Sequence, residues 1–201
     1  MSIDDESFSD QLERWVREPG PKTMGALGEV FAEKAFAVTI LLLMFLPALP
    51  LPTGGVSHVF EAITVVIAAQ MVLGRRTFWL PARWKRRELG AATTEKAIPF
   101  MLRRIRWFER RSHPRGAALF DHRMTHRILG LVLMGLAVAA ALAPPFSGLD
   151  TLPSMGAVAI VLAIVLEDVV ILGVGLVIGA GGTLLILTVG AAVVRLLQGI
   201  F

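Results

Sequence analysis

Two adjacent acids, Glu167 and Asp168, interrupt the apolar C-terminal part of this 201-residue chain. An ionised carboxylate beside hydrocarbon is costly and is usually paired or functional, whereas at an aqueous turn between helices it is an ordinary solvated group. Arg75 and Arg76 end an apolar stretch in the N-terminal half, just as Glu167 and Asp168 end one in the C-terminal half. One reading pairs these bases with these acids in one functional site. The other leaves all four as turn residues at one membrane face. A second polar set, His58, Glu61 and Gln70, lies within a single apolar stretch. His58 and Glu61 are three apart and share a helical face. That face either lines a polar cavity or lets Glu61 bond a neighbouring backbone turn. Arg75, Arg76, Glu167, Asp168, Glu61 and His58 are therefore the expected substrate-binding groups.

Catalytic chemistry has less to work with. His122 and His126 are four apart, which can place two metal ligands on one helical face. No Glu sits beside His122 as a zinc-protease motif requires, and the neighbouring Arg123 and Arg127 repel a divalent cation. Gly179-Ala180-Gly181-Gly182 has no Lys-Ser/Thr after it and lies in an apolar run, so it reads as helix packing and not as a phosphate loop. The chain has no Cys, which removes disulfides, thiolate metal sites and a cysteine nucleophile. No nucleophile–base pair is recognisable. The expectation is a protein that is not an enzyme and holds no metal and no cofactor.

The elements that must position these groups are apolar and blocked. Hydrophobic residues make up 55% of the chain, in stretches 35–51, 56–73, 128–146, 152–166 and 169–194. Four of them carry no charge at all. A helix rising ~1.5 Å per residue needs roughly 20 residues to cross a ~30 Å hydrocarbon layer. The 26-residue last stretch crosses easily, whereas the others leave re-entrant hairpins open as an alternative to full crossing. Barrel strands would alternate apolar and polar residues, and these runs do not. Pro50-Leu51-Pro52-Thr53-Gly54 turns the first pair of legs and Pro144-Pro145-Phe146-Ser147-Gly148 the second. At a spacing of 93, Leu73-Gly74-Arg75 falls on Leu166-Glu167-Asp168, which suggests an internal repeat. The expected fold is an all-α integral membrane protein of two Pro/Gly-turned helical hairpins and a C-terminal Gly-rich membrane helix. That last helix is either one tilted rod or two half-helices broken at Gly179–Gly182.

Charge divides the remainder. Residues 1–34 carry eight acids and four bases, and residues 75–127 carry fifteen Lys or Arg and four acids. The basic excess sits between apolar halves, so the positive-inside rule places it in the cytoplasm; nucleic acid is not an expected partner. The acidic start lacks the basic flank and immediate apolar core of a signal peptide. Four segments follow: an acidic cytoplasmic 1–34, a first membrane hairpin 35–82, a basic 83–127, and a second hairpin with the last helix, 128–201. Phe8, Leu12, Trp15 and Val16 share one face of a short helix stopped at Pro19-Gly20-Pro21. Ile98, Met101, Leu102, Ile105 and Phe108 recur at helical spacing between arginines. That second amphipathic helix lies on the anionic leaflet or covers the cytoplasmic ends of the hairpins. Membrane lipids and a second copy of the chain are the expected partners.

Several of these segments together resemble a known family. Gly28-Glu29 precedes an apolar leg, then come Leu46-Pro47-Ala48-Leu49-Pro50-Leu51-Pro52-Thr53-Gly54, Leu73-Gly74-Arg75-Arg76 and Trp79-Leu80-Pro81. In the second half Pro144-Pro145-Phe146, Pro153 and Leu166-Glu167-Asp168 follow in order. Over about residues 25–185 the chain is similar to the ExoD family of exopolysaccharide synthesis proteins. The resemblance implies a bacterial inner-membrane, multi-pass protein linked to exopolysaccharide production, and it carries over no catalytic residue. It leaves two mechanisms: a protein that transports or binds an anionic or lipid-linked substrate, or a non-transporting accessory protein that docks a polysaccharide synthase through the basic segment.

Overall fold

A computed structural model describes residues 7–23, 25–26, 34–49, 56–75, 79, 98–110, 116–120, 122–144 and 147–198. Gly28-Glu29, Arg76 and residues 83–97, 111–115 and 121 of the basic segment lie outside them. The described residues form helices and no strand: α1 (Phe8–Arg17), α2 (Ala35–Phe45), α3 (Val56–Val72), α4 (Ile98–Glu109), α5 (Ala117–Phe120), α6 (Arg123–Ala141), α7 (Thr151–Leu166) and α8 (Val169–Gln198).

Packing interlocks the two halves. The N-terminus of α2 meets the C-terminus of α7 through Lys34 and Glu167, so these helices run antiparallel. Likewise Gly130 of α6 abuts Ala68, Met71 and Val72 of α3. Each first leg therefore lies against the second leg of the other half. Nearly every α2 side chain is buried, which explains its lack of an apolar stripe: a helix enclosed on all sides is apolar all round. α8 continues without a break from Val169 to Gln198 and packs antiparallel on α7. A Cβ at Gly156 would collide with the Gly179 backbone, and one at Gly175 would stand 2.8 Å from Ile160 N. Glycines at this contact let the two backbones approach closely.

Much apolar surface faces outward. Val170, Val174, Val177, Leu184 and Leu187 are exposed on α8, as are Ile128, Leu131 and Leu142 at α6. A continuous apolar face of this kind is out of place in water. α6, and α8 over Val169–Ala192, are long and apolar enough to cross a membrane. α2, α3 and α7 are shorter, at 11, 17 and 16 residues.

The two amphipathic helices find each other. Ser7 caps α1 by accepting from Asp10 N. Ser9 donates from its N–H and its hydroxyl to the Glu109 carboxylate. Arg106 pairs with Asp10 and Glu13. The apolar face of α4, Ile98, Met101, Leu102 and Ile105, is buried in the same core as Leu12 and Trp15. Of the two sequence readings for this helix, the one that turns this face toward acyl chains therefore gives way to the covering helix. The carboxylates of α1 already occupy Arg106, and the protein buries what lipid would have.

Candidate functional site

The corner between α7 and α8 is built from two residues with different duties. Glu167 ends α7 in the left-handed region, φ 55 and ψ 35, where a non-glycine residue costs roughly 1–2 kcal/mol. Asp168 starts α8: its Oδ1 accepts from Val170 N at 2.8 Å and Ile171 N at 3.4 Å, satisfying donors that the first turn leaves open. Asp168 is buried, 3% exposed. The partner of Glu167 is Lys34, 3.0 Å away, whose Nζ also donates to Val165 O. Sequence reasoning offered Arg75 or Arg76 for this role. Arg75 is exposed at the end of α3 and forms no ion pair with Glu167 among the described residues, and Arg76 lies outside them. The interlocked packing is the reason: α7 ends beside the start of α2, not beside the end of α3.

The end of α3 has the same geometry with different side chains. Gly74 is left-handed at φ 70, as Glu167 is at φ 55. Arg75 N donates to Gln70 O, and Asp168 N donates to Ala163 O, each reaching five residues back. That is the bond of a Schellman-type helix end. The Arg127 guanidinium lies over Gly74, 3.0 Å from where a Cβ would stand. Gln70 belongs to this end: its side-chain amide donates to Trp79 O and accepts from Trp79 N. It is thus committed to anchoring the chain after α3 and is not part of a set with His58 and Glu61.

Those two do come together, near the opposite end of the bundle. His58 Nδ1 and Glu61 Oε2 are 2.7 Å apart. Glu61 is 0% exposed, while the His58 side chain keeps 27%, so the pair joins a closed interior to a more open edge. Glu61 Oε1 has no hydrogen-bond partner among the described residues, and neither does the buried Ser154 hydroxyl of α7. Asp150, just before α7, lies within electrostatic range of Glu61. Burying a polar atom without a partner costs on the order of 1–3 kcal/mol, more when it is charged. Such an atom is where a proton, a water or a substrate hydroxyl gains most by binding. Among the described residues, no three His, Asp or Glu side chains converge to hold a metal ion.

Lys34, Asp150 and Ser154 were missed from sequence, and a signal for two of them existed. At the spacing of 93, Lys34 falls on Arg127 and Glu61 falls on Ser154. Both first legs thus begin at a basic residue, and both second legs bury a polar group one to two turns in.

Strain at Glu167 permits a test. Glu167→Gly relieves the left-handed backbone and loses only a half-exposed ion pair, worth roughly 0–1 kcal/mol. Glu167→Val loses the pair and tightens the strain. The glycine variant should unfold at or near the wild-type temperature, with valine lower by about 1–2 kcal/mol. A glycine variant that unfolds below the valine variant would show that the ion pair, and not the turn, governs this corner.

A family described as "Exopolysaccharide synthesis, ExoD" matches residues 8–188. A relative described as an uncharacterised protein of Synechocystis sp. is 28% identical over 123 residues, covering 61% of this chain and 57% of that protein. The chain thus spans little more than half the length of that curated relative. No solved structure matches.

Proposed function

This chain belongs to the ExoD family of exopolysaccharide synthesis, and from that premise we propose that it is a multi-pass protein of the bacterial inner membrane. In this proposal it serves exopolysaccharide synthesis or export by binding and moving an anionic or lipid-linked substrate, without an enzymatic step. The observation that carries this is Glu61: a carboxyl at 0% exposure inside an apolar helix, with one oxygen unpartnered. Ionisable groups held within membrane helices mark substrate, ion or proton pathways. The matched helix ends at Gly74 and Glu167, and the reciprocal packing of the legs, support a two-hairpin repeat around that path. Arg75, Glu167 and Asp168 then stand at its cytoplasmic mouth.

A second reading, an accessory protein docking a synthase, is favoured by the exposed Arg103 and Arg104 on α4 and Arg110 just after it. Reconstitution separates the two. Liposomes containing the purified protein should show flux of a lipid-linked anionic saccharide above protein-free liposomes, and Glu61→Gln should reduce it. Absence of flux in wild type leaves the docking role.

Topology gives an independent expectation. With no native Cys, single cysteines report sidedness directly. Ser147→Cys, at the exposed α6–α7 turn, should react with an impermeant thiol reagent added outside the inner membrane. Arg110→Cys should react only after the membrane is opened. The reverse pattern rejects the topology.

A further inference from the structure

We propose that the groove between α2, α7 and α8 binds one phosphate-bearing lipid, with Arg104 at its headgroup; this rests on the membrane-embedded reading above. The groove encloses about 500 Å³, within the ~300–1,000 Å³ usual for ligand sites. Its walls are apolar: Phe45 of α2, Met155, Val158 and Leu162 of α7, Val174 and Ile178 of α8. Three lining side chains differ from the rest, Arg104 and Trp107 from α4 and Asp168 from the α7–α8 corner.

The Phe100 ring lies 5.9 Å from the Phe45 ring, and the Arg104 guanidinium sits over Phe100 at 5.5 Å. Arg104 is thereby held against the groove wall, and no carboxylate among the described residues pairs with it. A guanidinium presents paired donors that match a phosphate. Trp107 is half exposed, and an indole favours the boundary between an apolar chain and a wet headgroup. Asp168 would attract an ammonium headgroup, but it is 3% exposed and its Oδ1 faces the α8 backbone N–H groups. The site therefore offers a cation and withholds its anion, which favours an anionic over a zwitterionic lipid. The outer edge runs onto exposed Val170, Val174 and Val177. A lipid chain can enter there from the bilayer without crossing a polar barrier.

Trp107 supplies its own readout. The full chain, purified in detergent, is titrated with brominated-chain phosphatidylglycerol or phosphatidylcholine. The Trp107 part of the fluorescence is the difference between wild type and Trp107→Phe. The anionic lipid should half-quench it at about fivefold lower mole fraction, the equivalent of ~1 kcal/mol for one basic residue at an anionic headgroup. Arg104→Gln should bring that ratio close to one, and Arg104→Lys should keep part of it. Inorganic phosphate should not reverse the quenching, because it lacks the chain. Equal quenching by both lipids in wild type overturns the proposal, as does a preference that survives Arg104→Gln or reversal by inorganic phosphate. Absent flux with lipid selectivity intact removes the transport proposal alone, and flux without selectivity removes this site alone.

Discussion

Replacing Glu61 with leucine is expected to stop exopolysaccharide output while leaving the folded protein as stable or more so. A buried carboxyl with an unpartnered oxygen is a cost, and an apolar side chain of similar size removes it. Replacing both members of a buried polar pair with apolar groups is often neutral or stabilising by about 1–4 kcal/mol, and removing one member is costly where the other stays buried and unpaired. His58 loses its partner, but at 27% exposure water can replace the carboxylate. Glu61→Gln keeps the shape and the hydrogen-bonding capacity without the charge, so it should fold normally and lose most of the output. Complementation of a strain lacking the gene, together with thermal unfolding of each purified variant, checks both halves. A leucine variant that is destabilised, beside a glutamine variant with full output, would make Glu61 a structural residue and end the proposed role.

The largest loss of folded protein should come from Gly156→Leu. A Cβ at this position runs into the Gly179 backbone, and one at Gly179 would stand 2.8 Å from Leu136 side-chain carbons. Overpacking costs typically ~1–3 kcal/mol, occasionally more, when neighbours must shift. Here the neighbour is backbone on a 30-residue helix, so α7 and α8 would have to separate along their length. Gly173→Leu and Gly181→Leu are the controls, since nothing lies within 4 Å of a Cβ at either place. Size-exclusion profiles and unfolding temperatures should leave those two at wild type and show Gly156→Leu depleted or aggregated. Equal behaviour of the three variants would mean that the α7–α8 contact does not need its glycines.

The five apolar stretches became α2, α3, α6, α7 and α8, and the second Pro/Gly break, at Pro144 and Gly148, lies between α6 and α7. These features are local. Hydrophobic run length and turn residues act within a few residues of where they are written, so they can be read directly. The short amphipathic helices were legible for the same reason, through Leu12 and Trp15 in α1 and through Ile98, Met101 and Ile105 in α4. The His58–Glu61 pair was legible too, because a separation of three places two side chains on one helical face.

The long-range choices were not legible. Glu167 could have met Arg75 on sequence grounds, since both end a second leg; it meets Lys34 because α7 lies antiparallel to α2. Gln70 matched His58 and Glu61 in polarity, yet its amide is spent on Trp79. The apolar face of α4 had two equal destinations, and the acids of α1 decided for the protein interior. By itself the sequence determined which segments are helical and apolar, where they turn, and which polar side chains are carried inside them. Which helix lies against which, and so which charges meet, was decided by the tertiary structure. Side-chain partners far apart in the chain follow from how backbones pack at the glycine contacts, and no local pattern of residue types contains that information.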